Sequence, residues 1–226
     1  MQANLLIKAS PKEAIPAIYS LLFSTFGPRY WWPAESRFEV IVGAFLTQNT
    51  SWRNVEKSIA NLKAHNALSS EKLYLFPEEE LAQLIRSSGY YNIKARRLKS
   101  FIGFLYNQYD GSLDKLFRND MATLRMELLG IKGIGPETAD SIILYAAEKP
   151  SFVVDAYTKR ILSRHGLIKE DASYDMVRDL FMRILPQDVE MYNEYHALIV
   201  YLGNTLCMKR APRCEDCPLA IFMKSR

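Results

Sequence analysis

Two glycines one residue apart, Gly133 and Gly135, most constrain how this chain can fold. The run from Leu129 to Asp140 reads Leu-Gly-Ile-Lys-Gly-Ile-Gly-Pro-Glu-Thr-Ala-Asp. Glycine reaches backbone conformations that other residues avoid, and its lack of a side chain lets a ligand come close. Pro136 suits the first turn of a helix, where its missing amide hydrogen costs nothing. Ala139, Ile142, Ile143 and Ala146 then recur at helical spacing, so the spacing predicts a helix burying one face. The free amides at its start would suit a phosphate oxygen. The competing reading is an ordinary glycine turn between two helices. About twenty residues beyond Gly135, Phe152-Val153-Val154-Asp155 sets a lone carboxylate after an apolar run, a candidate reactive group. The same aspartate could be the N-cap of a helix beginning Ala156-Tyr157-Thr158.

The rest of the chain reads as mostly helical. Phe38–Leu46 is a nearly continuous apolar run, and 78–85, 113–117, 176–184 and 194–202 show helical spacing. Turns are signalled at Phe26-Gly27-Pro28, Asp110-Gly111-Ser112 and Lys149-Pro150-Ser151. With 226 residues, 49% of them apolar, the chain can bury a core in one or two domains, which excludes a disordered tail protein. Its net charge of +4 is compatible with nucleic acid without pointing to it. No apolar run approaches a membrane span, and Lys8, Lys12 and Glu13 break up the N-terminus as a signal peptide. The three cysteines cluster near the C-terminus, unlike a secreted disulfide framework. A cytoplasmic protein is the simple expectation.

Several motifs together resemble the helix-hairpin-helix DNA glycosylases of the endonuclease III superfamily, over nearly the whole chain. Besides the hairpin and Asp155, Leu46-Thr47-Gln48-Asn49-Thr50 resembles the segment that wedges into the DNA stack. Ser88-Gly89-Tyr90-Tyr91-Asn92-Ile93-Lys94-Ala95 resembles the family's Gly-x-Tyr-Asn-x-Lys-Ala helix start. Tyr30-Trp31-Trp32-Pro33 and Val153-Val154-Asp155-Ala156-Tyr157 look most like the small bacterial 3-methyladenine DNA glycosylase branch. The resemblance implies an all-α fold of two discontinuous helical domains with a cleft between them at Asp155. Residues 37–149 would form a six-helix barrel with the hairpin at about 130–136. Residues 1–36 and 150–226 would form the second domain, carrying a cysteine loop at 207–217.

It also implies the chemistry: base excision from double-stranded DNA, by a bacterial-type, nucleoid-associated monomer needing no cofactor for the reaction. The base must be rotated out of the duplex before its glycosidic bond can be reached. Asp155 would stabilise the oxocarbenium-like transition state or orient water. Gln48 would fill the gap left by the flipped nucleotide, although capping a helix end is its plainer role. Lys132, Gly133, Gly135 and Thr138 would meet the DNA backbone. Trp31, Trp32, Pro33 and Trp52 would line the base pocket, where an aromatic face attracts a cationic alkylated purine. Core packing is the ordinary alternative for tryptophan. Asn92 and Lys94 would support backbone contact or the fold.

Two features depart from the family pattern. Bifunctional members carry a lysine two residues after Gly-x-Gly that forms a Schiff base with the sugar. Here Glu137 stands there, which predicts a monofunctional enzyme that uses water and leaves an abasic site. Cys207-x6-Cys214-x2-Cys217 fits the first three ligands of the family's [4Fe–4S] loop, but the fourth position is Met223. A cluster with an external fourth ligand, a metal-free packed loop, and zinc with a non-cysteine ligand all stay open. Lys209, Arg210 and Arg213 on that loop could meet phosphate. His65, His165 and His196 have no ligand spacing and read as ordinary side chains. The alternatives to a monofunctional glycosylase are a bifunctional glycosylase/lyase, a mismatch adenine glycosylase and a non-catalytic DNA-binding protein.

Overall fold

The structure, a computed structural model, describes residues 10–222. The sequence's all-α expectation holds, since there is no strand among the described residues. In chain order the helices are α1 (Pro11–Phe26), α2 (Arg37–Leu46), α3 (Trp52–Ala64), α4 (Ser70–Leu75), α5 (Glu78–Leu84) and α6 (Tyr91–Tyr109). There follow α7 (Leu113–Phe117), α8 (Met121–Gly130), α9 (Pro136–Ser141), α10 (Ala156–Arg164), α11 (Tyr174–Ile184) and α12 (Val189–Thr205). Most starts are written locally. Ser36, Ser69, Ser112, Asp120, Asp155, Ser173 and Asp188 each accept a backbone N–H from the first turn of the helix they precede. Gly27 ends α1 at φ 66°, and Asp110 and Gly111 turn the chain after α6 at φ 53° and 75°. No helix among the described residues is long and apolar enough to cross a membrane.

The chain divides into two compact units, Pro33–Lys149 and Met1–Trp32 with Pro150–Arg226. In the first, α2 is the central element. Every residue from Phe38 to Leu46 is buried, because α3, α6, α9 and the turn after α9 all pack on it. A helix that is apolar on all sides is stable only where neighbours cover every side. The same holds for the segment after the hairpin. The spacing from Ala139 to Ala146 predicts a one-sided helix, but Thr138–Ala146 is buried throughout. Beyond Ser141 the chain widens into a π-helical turn at Ile142–Ala146. Apolar spacing of this kind does not distinguish the two helix types.

The other unit is built on an aromatic core. Phe152 stacks on Phe181 with ring centroids 3.9 Å apart, and Tyr192 and Tyr195 meet Phe152 edge-on. Tyr195 Oη donates to the Ile15 carbonyl at 2.8 Å, so its buried hydroxyl is satisfied and ties α12 to α1. Burying each such ring contributes roughly 1.5–3 kcal/mol. Phe152, Val153 and Val154 are sunk in this core and deliver the next residue, Asp155, to the start of α10.

Candidate active site

Asp155 is the N-cap of α10, as its local sequence allows. Its Oδ1 accepts the Thr158 amide at 2.7 Å and the Thr158 hydroxyl at 2.8 Å. Its Oδ2 lies 3.7 Å from His196 Nε2, and the two side chains are only 11% and 8% exposed. Burial is the largest single influence on this carboxyl and pushes its pKa up. The nearby His196 imidazole and the hydrogen bonds from the Thr158 amide and hydroxyl together outweigh it and hold the pKa below the ordinary value. The group is therefore a carboxylate at neutral pH, with one oxygen committed to the helix start and the other turned to an imidazole. The sequence reading missed His196. It lies far along the chain on α12, and only the packing of α10 on α12 brings it beside Asp155.

The hairpin lies in the other unit. Buried Ile131 and Ile134 anchor it, and the Ile134 amide closes the turn on the Ile131 carbonyl at 3.0 Å. Gly133 has φ 97°, and a Cβ there would come within 2.3 Å of Arg97 Cγ. Gly135 has an ordinary extended conformation, φ −94° and ψ 173°, so backbone strain does not require glycine there. A Cβ at Gly135 would meet nothing within 4 Å, which leaves the start of α9 open to close approach. Lys132 and Glu137 are exposed, and Glu137 sits in the first turn of α9, where a negative charge suits the helix dipole. Thr138 is buried, and its hydroxyl accepts Gln48 Nε2 at 2.8 Å. Arg97 Nη1 donates to Gln48 Oε1 at 2.5 Å, so the Gln48 amide is held at both ends. Lys94 is 2% exposed and donates to the carbonyls of Leu46 and Ser88 at 2.8 and 2.6 Å. Burial, with help from the Arg97 charge, lowers its pKa to about 8. Lys94 is thus a fold residue, while Asn92 is exposed at the start of α6.

The tryptophans are half-buried. Trp31 and Trp32 meet edge to face with centroids 5.5 Å apart, next to Tyr30, which is 84% exposed. Pro33 is exposed at the first position of the other unit, and Trp52 begins α3 there.

In the cysteine loop Cys207 is buried and Cys214 and Cys217 are half-buried; all three are free thiols. Burial pushes the Cys217 thiol up, and Cys207 and Cys214 add to this, against a hydrogen bond with the Leu219 backbone that lowers it. No group of three His, Cys, Asp or Glu among the described residues is arranged to hold a metal ion. Met223, at the fourth family position, lies outside the described residues. Three thiols, one of them accepting a hydrogen bond from Arg164 Nη1 at 3.2 Å, do not fit a four-thiolate cluster. Arginines hold the loop: Arg160 donates to the carbonyls of Cys207 and Gly203, and Arg164 to those of Met208 and Lys209. Lys209 and Arg210 are exposed, whereas Arg213 pairs with Asp216 at 2.7 Å. Lys159, Arg160, Arg164 and Lys209 line a cavity of about 600 Å³ beside α10, with Glu170 the one carboxylate lining it among the described residues.

Comparison with known proteins agrees with this architecture. A candidate DNA repair glycosylase of Methanocaldococcus jannaschii is 49% identical over 97% of this chain and all of its own length. Endonuclease III in a non-covalent complex with DNA superposes with a TM-score of 0.81 at 26% identity, covering 94% of this chain and 95% of that one. The H. pylori 3-methyladenine DNA glycosylase bound to 1,N6-ethenoadenine gives a TM-score of 0.74 at 29% identity, covering 87% and 98%. The pattern of the HhH-GPD superfamily matches residues 42–187, which include the Gln48 segment, the hairpin and Asp155. With that match and the near full-length relative, the chain belongs to the HhH-GPD superfamily of base excision DNA repair proteins.

Proposed function

We propose that this chain is a monofunctional DNA glycosylase that removes an alkylated, 3-methyladenine-like base from duplex DNA. It flips the nucleotide, hydrolyses the glycosidic bond and leaves an abasic site. The observation that carries this reading is Asp155, a carboxylate ionised at neutral pH with one oxygen spent on Thr158 and the other uncommitted to the helix. That second oxygen can face the positive charge growing on the sugar, or hold the attacking water, without losing its place in the fold. His196 and the Thr158 hydrogen bonds together offset the burial of the carboxylate. Glu137 stands where a bifunctional relative would present an amine, and a carboxylate cannot form an imine.

The remaining residues take supporting roles in the same reading. Gln48 fills the gap left by the flipped nucleotide. The hairpin at Lys132, Gly133 and Gly135, with Thr138 behind it, receives the DNA backbone. Trp31, Trp32, Pro33 and Trp52 supply the base pocket, and aromatic faces suit a cationic purine. The relative bound to 1,N6-ethenoadenine supports a modified adenine as substrate. The test is base release from methylated duplex DNA, with products analysed before and after alkali. Release of 3-methyladenine by the wild type and not by Asp155→Asn, with strands cut only after alkali, is the expected result. Strand cleavage without alkali, or imine trapping by borohydride, would overturn the monofunctional reading. Absence of 3-methyladenine release would overturn the assigned base.

A further inference from the structure

Lys94 and Arg97 lie three residues apart on α6, so they share a face of that helix. Both reach the segment that follows α2. Lys94 grips its root, the Leu46 carbonyl, at 2.8 Å. Arg97 grips its side chain, Gln48 Oε1, at 2.5 Å. The aliphatic part of Arg97 crosses Gly133, where even a methyl group would collide with it. One arginine side chain therefore meets the hairpin through its stem and Gln48 through its guanidinium. Its partner is a neutral amide oxygen, and among the described residues it makes no ion pair with a carboxylate.

An arginine in this state is poised to exchange partners. A hydrogen bond between two charged groups is roughly twice as strong as one between neutral groups, and guanidinium matches phosphate geometry. A phosphodiester oxygen arriving at the hairpin would outcompete the Gln48 amide. Gln48 would then keep only the Thr138 hydroxyl, while Lys94 keeps the root of the segment in place.

We infer that Arg97 is a latch on Gln48 that a DNA backbone phosphate opens. In the free protein it holds the side-chain amide against Thr138; on a duplex it transfers to phosphate and releases the amide. Insertion of Gln48 then follows engagement of DNA rather than preceding it. Arg97 is a positioning residue here, acting through Gln48, and the inference rests on the proposed wedge role of Gln48.

The test follows the Gln48 side-chain NH2 signals by NMR, assigned by their loss in Gln48→Met, as a short undamaged duplex is added at low salt. The latch predicts that saturating duplex shifts these signals in the wild type, toward their positions in DNA-free Arg97→Met. Arg97→Lys, which keeps a donor, should hold them nearer the wild-type positions. The slope of log affinity against log salt should fall by about 1 in Arg97→Met, the mark of one lost phosphate contact. Wild-type signals unmoved by saturating duplex, or an unchanged slope, would overturn the latch, and the first needs no variant to fold. Failure of the wedge role shows separately: Gln48→Ala would flip and excise the base at the wild-type rate, whatever the NMR and salt results.

Discussion

Asp140 and Asp155 are both buried aspartates, one in each unit, and they are held in opposite ways. Asp140 on α9 is fully buried, and both its oxygens are taken by Arg125, through Nε at 3.0 Å and Nη2 at 3.1 Å. Its partner carries a permanent charge in a rigid fork, so the pair is locked. Among the described residues no arginine pairs with Asp155. A hydroxyl, an amide and an imidazole hold it, and only one of its oxygens is spent on the helix start. Burial alone does not mark a reactive carboxylate. What separates the two aspartates is how many of their lone pairs the fold has already used.

The largest test of this contrast is a pair of isosteric changes. Asp155→Asn should lower single-turnover base release by roughly 10²–10⁴-fold. It should leave the thermal midpoint near wild type, because asparagine caps a helix about as well as aspartate. Asp140→Asn should do the reverse. It removes the carboxylate charge facing a half-buried guanidinium, costing about 3–5 kcal/mol in denaturant unfolding, while base release per folded molecule stays near wild type. A stable but inactive Asp140→Asn would break the comparison.

Lys94 extends it to cations. Unlike Arg125 it meets only carbonyl oxygens, and its folded pKa of about 8 lies below the ordinary 10.5. Between those values the unfolded chain holds more protons, so this group makes stability rise with pH across about 8 to 10.5. Its penalty is fully present below that window. The rise amounts to at most about 3 kcal/mol. Urea unfolding at a series of pH values should show the rise in the wild type and lose it in Lys94→Met. Equal slopes in the two proteins would mean that Lys94 stays protonated throughout.

The smallest effect belongs to His196. The folded pKa of Asp155 lies below its ordinary 3.8, so its contribution to stability is present above the unfolded value and lost as pH falls through the folded one. The acid limb of base release that belongs to Asp155 should therefore lie below pH 3.8 in the wild type. His196→Gln removes the strongest lowering influence and leaves burial less opposed, so the limb should move to higher pH. An unmoved limb in the pH–rate profile would show that His196 does not set the charge of Asp155.

Legibility in the sequence varied with how local the cause was. The α7 span matches its spacing, Leu113–Phe117, and α2 follows the apolar run from Phe38. Asp155 was legible both as a cap and as a candidate reactive group, because a cap is a short-range pattern. Gly133 was legible as a backbone requirement, whereas Gly135 takes a conformation open to any residue. The π turn after Ser141 was not legible, because Ile142, Ile143 and Ala146 suit either helix type once they are buried on all sides. His196 was set aside for lack of ligand spacing, and no short-range pattern links it to Asp155.

By itself, then, the sequence determined what short-range forces decide: the helical class, the caps, the left-handed glycine of the hairpin, the thiol count of the cysteine loop and the absence of an amine at Glu137. Only the tertiary structure decided which polar group meets which. The pairing of Arg125 with Asp140, the imidazole beside Asp155, and Arg97 on Gln48 all join residues far apart in the chain. Electrostatic and hydrogen-bond energies depend on distance and burial in space, and neither quantity is written in residue order.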